Sequence, residues 1–135
     1  MTKNLNLEHD GIHLQEPNGA VALRDFNSDY DAYIAAHCTP GAPGRLVTIS
    51  TSSEDWPVWE VHPAGDEVVV VLRGKAEFIQ DFSSAQRRTI VCANEAVVNP
   101  AGVPHTANVL EAFTALYITP CPGTQHLPRD PKAPR

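Results

Sequence analysis

The sequence predicts an all-β domain, a sandwich or a closed barrel, with one short helix ahead of it. Past residue 44, short segments rich in apolar and β-branched residues alternate with turns of Pro, Gly, Asp and Ser. This regular spacing is typical of antiparallel sandwiches and barrels. The chain has 135 residues, 42% of them hydrophobic, which is enough for one continuous core. We therefore expect a single domain over residues 1–135.

The N-terminal part, residues 1–44, is expected to form an arm and the helix. Gly11, Pro17 and Gly19 interrupt short apolar pieces, which predicts edge strands or an extended arm. Ser28 is a suitable N-cap. Residues at helical spacing follow it, namely Tyr30, Tyr33, Ile34 and His37. We expect the histidine of this stripe to pack or cap rather than to bind a ligand.

The barrel core is expected over residues 45–119. Its predicted strands are residues 46–51, 56–62, 67–73, 76–82, 87–92, 96–99, 105–110 and 113–119. Residues 68–72 are apolar at every position, so we expect both faces of that strand to be covered, by the helix, the arm or a partner subunit. Residues 120–135 are rich in proline, which cannot continue a sheet ladder, and are expected to lie along the surface.

Charge and composition point to a cytoplasmic protein that handles small molecules. The formal charge of −6 disfavours binding to nucleic acid or to an anionic membrane surface. The N-terminus lacks the apolar segment of a secretion signal, and no apolar run reaches the roughly 20 residues of a membrane span. Cys38, Cys92 and Cys121 are widely spaced and odd in number, which predicts reduced packing residues rather than a disulfide framework or a metal knuckle.

Three acidic or imidazole side chains cluster around one turn. Residues two apart on a strand share a face, so Glu60 and His62 project together. The turn at residues 63–66 then folds the chain back and places Glu67 beside His62 across a hairpin. A carboxylate and an imidazole in that arrangement can share one cation.

A further histidine follows a second rigid turn. Pro100, Gly102 and Pro104 precede His105, which is delivered onto another strand. A lone histidine beside a turn is more often a surface or hydrogen-bonded residue than a ligand. The matching Pro/Gly turn before His62 favours the ligand interpretation for both histidines.

These two segments resemble the two sequence motifs of the cupin superfamily. In the first motif the second histidine, the glutamate and the closing glycine correspond to His62, Glu67 and Gly74. The second motif is matched at its proline, glycine and histidine, which are Pro100, Gly102 and His105. The resemblance implies a double-stranded β-helix, the jelly-roll barrel of cupins. It also implies a divalent metal ion inside the barrel, held by His62, Glu67 and His105.

The sequence departs from the cupin pattern at several positions. Glu60 stands in place of the first motif histidine, Glu54 and Asn94 replace the leading glycines, and Asn108 comes one residue early. Glu60 has two open interpretations. As a fourth ligand it completes a two-histidine, two-carboxylate site that is neutral with an Fe, Mn, Ni or Zn dication. Otherwise it acts as a general base or binds substrate beside a three-residue ligand set.

The resemblance leaves two functions open. The first is a small-molecule enzyme of dioxygenase, isomerase or lyase type; the second is a non-catalytic module that binds or senses a small ligand. A homodimer is expected, because residues 68–72 need a cover and cupin termini commonly pack on a neighbouring barrel. Either Trp56 or Trp59 should face the cavity, since they differ in parity. Weaker cavity candidates are Phe78, Gln80, Asn99, Thr106, Tyr117 and His126.

Overall fold

The protein, described here from a computed structural model, is an antiparallel β-barrel with one helix. The structure describes residues 4–26, 30–38 and 44–135. Its elements in chain order are β1 (Gly11–Gln15), β2 (Gly19–Leu23), α1 (Tyr30–His37), β3 (Gly44–Ser52), β4 (Val58–Val61), β5 (Glu67–Asp81), β6 (Gln86–Cys92), β7 (Ala96–Asn99), β8 (His105–Cys121) and β9 (Gln125–Pro128). The predicted all-β class with one short helix is confirmed.

Two long strands, β5 and β8, run through both halves of the barrel. The second half of β8 pairs with β3 and with the first half of β5, which in turn pairs with β7. The first half of β8 pairs with the second half of β5 and contacts β4, while β6 and β9 form the flanks. The segments predicted as separate strands at 67–73 and 76–82, and at 105–110 and 113–119, are therefore continuous bent strands.

The bend in β5 is concentrated around Gly74. The register with β8 shifts between Val71 and Ala76, and Gly74 has a φ of +85°. A Cβ at this position would collide with the carbonyl oxygen of Ala112. Only glycine fits such a bend, because L side chains avoid positive φ and no space is left for one. This is the closing glycine of the first motif.

The main core lies between the two halves of the barrel. It consists of fully buried side chains from the long strands and β6, with Tyr117 at its edge. Phe78 and Phe113 are its largest members, and Trp56 packs against it. Alternating inward positions such as Val69 and Val71 are 0% exposed, as expected for strands with one face in the core.

A second, smaller core lies under the helix. Phe26, Tyr33 and Leu46 pack there with Cys38 and Cys121. Tyr33 is the buried residue of α1, and the other tyrosine of the predicted stripe is half exposed. The expected N-cap, residue 28, lies outside the described residues.

The prediction that Cys38 and Cys121 are reduced packing residues is wrong in this structure. Their Cα atoms are 5.1 Å apart and their sulfurs form a disulfide, while Cys92 is free. A sequence separation of 83 residues hid the pair, because the approach depends on β3, β8 and α1 meeting in the second core. The disulfide joins the end of α1 to the end of β8.

The outer face of the strand at 68–72 is only partly covered in the described chain: Leu72 is 38% exposed, and Val98, across from Val68, is 52% exposed. Cover of this face by a partner subunit stays a prediction, whereas the expectation for the tail needs correction. The C-terminal tail does continue a sheet, because β9 pairs with β4. Its proline, Pro128, ends an exposed edge strand, a position where a missing N–H is tolerated.

In the described part of the chain, no helix has the length and apolar character needed to span a membrane.

Candidate metal centre

The barrel brings the four predicted site residues together. Glu60 lies in β4, directly across from His105, the first residue of β8. His62 follows the end of β4, and Glu67 is the first residue of β5. The predicted β4–β5 hairpin pairing is absent from the described strands, since β4 pairs with β8 and β9 instead. The turn at 63–66 nevertheless carries the chain across so that His62 and Glu67 meet.

One potential ligand atom from each of the four residues lies within 4.8 Å of all the others. The Nε2 atom of His62 is 3.3 Å from Oε2 of Glu67, and Nε2 of His105 is 3.2 Å from Oε1 of the same carboxylate. Glu60 Oε2 is 3.4 Å from His62 Nε2 and 4.0 Å from His105 Nε2. Two imidazole nitrogens and two carboxylates therefore converge on one point.

The Nε2 atoms of His62 and His105 are buried without a hydrogen-bond partner in the described structure, which is unusual for polar atoms. The side chains of His62, His105 and Glu67 are 2%, 1% and 3% exposed. Nε2 of both histidines is buried and makes no hydrogen bond within the described chain, despite the nearby carboxylate. Leaving such polar atoms unpaired costs free energy, and their mutual orientation suits a shared ion better than direct hydrogen bonds. The donor set therefore fits a divalent metal.

Outer contacts hold the Glu67 carboxylate in place. Thr119 donates a hydrogen bond to Oε2 at 2.6 Å, and the amide of Asn99 donates to Oε1 at 3.1 Å. Gln80 donates in turn to the Asn99 side-chain oxygen at 2.9 Å. Each carboxylate oxygen keeps a lone pair for an ion, and contacts of this kind orient metal ligands.

A single outer contact orients His62. Its Nδ1 lies 2.9 Å from the hydroxyl of Thr124. When Nδ1–H donates to that hydroxyl, Nε2 carries the lone pair and points at the carboxylates. Thr124 belongs to the segment that leads into β9, so the tail predicted to lie on the surface supports the site.

The electrostatics of the cluster favour positive charge. Burial lowers the pKa of His62, but the carboxylates of Glu60 and Glu67 outweigh burial and raise this pKa to about 9. Burial raises the pKa of Glu67, but His105 and His62 outweigh it and hold the pKa of that carboxyl well below its usual range. A proton or a metal ion can supply the charge that this site attracts.

Glu60 is the most accessible member of the cluster. Its side chain is 25% exposed, against 3% for Glu67. Oε2 faces the two buried histidines, whereas Oε1 is 3.9 Å from Nε2 of His126. His126 reaches it because β9 pairs with β4 and sets these two residues opposite each other. The carboxylate is thus positioned both beside an ion and beside a solvent-exposed imidazole.

A cavity of about 380 Å³ opens onto the cluster. Its walls are formed by residues of β3, β4, the start of β5, β8, the tail, the region of the helix and the segment between β3 and β4. They include Phe26, Tyr30, Thr48, Ser50, Ser52, Trp56, Glu60, His62, Glu67, Tyr117, Thr119, Thr124 and His126. A volume of this size is at the small end of the range for small-molecule sites.

The weaker cavity predictions have mixed outcomes. Trp56, Tyr117 and His126 line the cavity, and Trp59 is not among its lining residues. Phe78 lies in the core, Thr106 bonds the backbone of Val58, and Gln80 and Asn99 act behind Glu67. Sequence reasoning missed Thr119 and Thr124. The parity of Thr119 with Tyr117 on one strand was the available signal for the first, and none was available for the second.

Outside the cluster, the remaining predicted histidine behaves as expected. His37 stacks on Tyr33, with ring centroids 5.5 Å apart, and packs in a tilted arrangement against His13, with ring centroids 4.6 Å apart. Asn108, the displaced motif asparagine, is buried, donates to Glu77 and accepts from Arg129 at 2.6 Å. It therefore supports the attachment of the tail rather than the cluster.

Comparisons with known proteins identify the fold. No family model matches the chain, and no curated protein matches it in sequence. Among solved structures, a variant of oxalate decarboxylase from Bacillus subtilis matches with a TM-score of 0.50 and 15% identity, over 64% of this chain and 23% of that one. The chain has a cupin fold. A cupin-2 domain protein from Shewanella frigidimarina matches with a TM-score of 0.49 and 18% identity, over 70% of this chain and 98% of that one.

A third similar structure has no assigned activity. It is a protein of unknown function from Streptococcus pyogenes, with 26% identity and a TM-score of 0.44. The match covers 61% of this chain and 65% of the Streptococcus protein, just under two thirds of its length. At these identities the cupin assignment concerns the fold, and the function has to be argued from the site.

Proposed function

We propose that Glu60, His62, Glu67 and His105 hold one divalent metal ion, and that the protein is a small-molecule enzyme of dioxygenase, isomerase or lyase type. One observation carries the proposal: two buried Nε2 atoms without hydrogen bonds face the two oxygens of one buried carboxylate at 3.2 and 3.3 Å. A metal ion satisfies both nitrogens and both carboxylates together, whereas the bare cluster leaves the two Nε2 atoms without a hydrogen bond to any described residue.

The donor set narrows the choice of metal. Two imidazole nitrogens with two carboxylates suit Fe, Mn, Ni or Zn. The two carboxylates balance the charge of a dication, so the loaded site is neutral. A bound ion supplies Lewis acidity at this point, and a redox-active one adds electron transfer. The oxalate decarboxylase with the same fold acts on a small molecule, as its name states, which is consistent with a small-molecule enzyme here.

Glu60 is proposed to contribute in two ways. Its Oε2 completes the ligand set at longer distances than Glu67, which is consistent with its greater exposure. Its Oε1 faces the cavity mouth and His126, where a carboxylate can accept a proton from a bound molecule and pass it to the imidazole. Thr119 and Asn99 keep Glu67 oriented, and Thr124 keeps His62 oriented.

A non-catalytic binding module is the second candidate. The two carboxylates favour it, because they donate charge to the ion and weaken its Lewis acidity relative to a site with three histidines. A neutral, well-held ion can still bind and orient a ligand without transforming it. Turnover of any substrate by the loaded protein would decide between the two candidates.

We also propose a homodimer. Val98 and Leu72 expose apolar surface on the outer face of the sheet formed by β5 and β7, and a second copy would cover it. Static light scattering is expected to give twice the mass of one chain. A single-chain mass at micromolar concentration would contradict the proposal.

The proposed location is the cytoplasm. The acidic composition and the small-molecule site support it, whereas the Cys38–Cys121 disulfide opposes it, because cytosolic thiols are kept reduced. Counting free thiols in protein purified under thiol-blocking conditions tests the point. Three free thiols fit the cytoplasm, and one fits an oxidising compartment.

Metal analysis tests the proposed site directly. Protein purified without chelators, or reconstituted in turn with Fe, Mn, Ni and Zn, is expected to hold about one ion per chain. The double variant His62→Ala, His105→Ala should hold none. Stoichiometric metal that persists in the variant would overturn the site. A wild-type chain that takes up no ion would overturn the metal proposal.

A further inference from the structure

We propose that the cavity accepts an uncharged, planar organic molecule bearing hydroxyl or carbonyl groups, and discriminates against carboxylates and amines. The inference rests on the proposed function, since it concerns the molecule that the loaded site binds. It follows from the charge of the cavity wall, from the hydroxyl groups that β3 and β8 present, and from two aromatic walls.

The charge of the cavity wall argues against ionic ligands. The acidic side chains lining the cavity are Glu60 and Glu67. The histidines lining it are His62, which is a proposed ligand, and His126, and within the described chain no lysine or arginine lines it. One dication balances the two carboxylate charges, so the loaded cavity attracts neither sign strongly. A carboxylate ligand would then be desolvated without an added cation to pair with it, which is unfavourable. An amine would face the same cost next to the ion.

A row of hydroxyl groups on β3 favours a ligand that forms hydrogen bonds. Thr48, Ser50 and Ser52 alternate along β3 and all line the cavity, because residues two apart share one face of a strand. Hydroxyl groups both donate and accept hydrogen bonds. A row of them suits the hydroxyl or carbonyl groups of a neutral molecule, and offers no full charge to an ionic one.

Tyr117 adds an independent sign of a polar ligand. Its side chain lies directly across from Thr48 in the β3–β8 register and lines the cavity. The residue is 8% exposed, and its hydroxyl is buried without a hydrogen-bond partner in the described structure. Burial raises the pKa of this phenol, and the nearby hydroxyls of Ser50 and Ser52 offset only part of that rise, so the group stays protonated and is able to donate. A polar atom of a bound molecule can accept a hydrogen bond from it.

Aromatic side chains in the cavity wall limit the shape of a ligand. Trp56 and Phe26 line the cavity, and the indole is held in place by Tyr117 and Phe78, with ring centroids 6.2 and 6.0 Å away. Flat apolar walls favour a planar ligand. The volume of about 380 Å³ suits a single substituted ring rather than a long chain.

Three compounds of matched shape test the inference. Zn²⁺-loaded protein is titrated by calorimetry with 4-hydroxybenzamide, 4-hydroxybenzoate and 4-hydroxybenzylamine, which are neutral, anionic and cationic at pH 7. The amide is expected to bind at least about tenfold more tightly than either ion. Equal or tighter binding of the benzoate or the amine, or no measurable binding of the amide, would overturn the inference.

Variants sharpen the test. Ser50→Lys puts a cation into the cavity and should reverse the preference in favour of the benzoate, whereas Ile90→Lys, on an exposed position of β6, adds the same charge elsewhere and should not. Tyr117→Phe should weaken amide binding about fivefold, the effect of one hydrogen bond. Unchanged selectivity in Ser50→Lys would count against the charge argument.

Measuring the zinc content of each sample separates the two proposals. A chain that holds one ion but prefers a charged compound disproves the inference alone. A chain that holds no ion overturns both proposals, because the charge balance from which the inference is argued requires the bound dication.

Discussion

The molecule contains two close histidine pairs of nearly the same geometry, and their surroundings differ. Both members of the barrel pair are buried, whereas in the pair under the helix His13 is buried and His37 is half-buried. The rings of His62 and His105 have centroids 5.1 Å apart and an interplanar angle of 38°. Those of His13 and His37 have centroids 4.6 Å apart and an interplanar angle of 33°. The first pair faces two carboxylates and leaves both Nε2 atoms without hydrogen bonds. The second pair packs on Tyr33, whose hydroxyl is 3.0 Å from Nδ1 of His13.

The comparison shows that two imidazoles packed close together do not make a metal site by themselves. Burial, followed by the charge of His37, lowers the pKa of His13, as expected for a histidine buried in neutral form. The carboxylates raise the pKa of His62 despite its burial. We therefore assign a structural role to the His13–His37 pair under the helix, and a ligand role to the His62–His105 pair in the barrel.

The largest expected effect separates the two pairs by metal affinity. His105→Gln should weaken metal binding by more than about 100-fold, beyond the loss typical of outer contacts. His13→Gln should leave metal affinity unchanged and lower the free energy of unfolding instead, because it disturbs a buried hydrogen bond to Tyr33. Competition with a chromophoric chelator measures the first quantity, and urea unfolding the second. Similar metal affinities in the two variants would end the distinction.

Removal of the disulfide should affect only the region under the helix. The double variant Cys38→Ser, Cys121→Ser is expected to lose about 2–4 kcal/mol of unfolding free energy, because the bond closes a long loop. Metal stoichiometry should stay the same, since neither cysteine contacts the cluster. The conservative single variant Cys92→Ser serves as control. Loss of the ion in the double variant would show that the two regions are coupled.

The two carboxylates should contribute unequally to metal affinity. Glu67→Gln is expected to weaken metal binding about 100-fold, whereas Glu60→Gln should weaken it about tenfold, because Glu60 is more exposed and farther from both imidazoles. Both changes preserve shape, so a difference reports on charge and position. Titration of each variant with Mn²⁺, followed by electron paramagnetic resonance, gives the affinities. An unchanged affinity in Glu60→Gln would assign that residue to proton transfer alone.

A smaller effect is expected from the contact behind Glu67. Thr119→Val removes the hydroxyl that donates to Oε2 and should weaken metal binding about tenfold. Thr51→Val is a matched control, because its hydroxyl pairs with Thr114 on the same strand pair but away from the cluster. The same titration applies. Equal losses in the two variants would indicate a general effect on the barrel.

The smallest effect is a pH dependence of opposite sign in the two pairs. In chelator-treated protein, the His62 pKa of about 9 exceeds the ordinary 6.5, so its stabilisation is present below pH 6.5 and lost as pH rises toward 9. The lowered pKa of His13 stabilises above pH 6.5, and that contribution is lost on acidification. Urea unfolding from pH 5 to 9 should lose the alkaline slope in His62→Asn and the acidic slope in His13→Asn. The reverse assignment would refute the electrostatic comparison.

The sequence was sufficient for the parts of the fold that depend on local spacing. The strand alternation, the turns before His62 and His105, and the glycine at 74 each reflect local backbone requirements. The alternation predicted a sandwich or barrel, and the resemblance of these segments to the cupin motifs implied the jelly-roll barrel and the residues that meet inside it. Because Glu60 shares a face with His62 and the motif spacing holds, the cluster itself could be anticipated.

Features that depend on contacts between distant elements could not be read in this way. The Cys38–Cys121 bond joins elements that meet only after the barrel closes, and Thr124 supports His62 only because β9 pairs with β4. A proline-rich tail carries no alternation that predicts such a strand. The exposed outer face at Val98 likewise depends on what the rest of the chain leaves uncovered.

Anomalous diffraction from crystals of the metal-loaded protein tests the central claim most directly. Data collected at the absorption edge of the bound ion should show one peak per chain. We predict that it lies about 2.0–2.3 Å from Nε2 of His62, Nε2 of His105 and an oxygen of Glu67. A peak beside His13 and His37, or no ordered peak inside the barrel, would contradict the account.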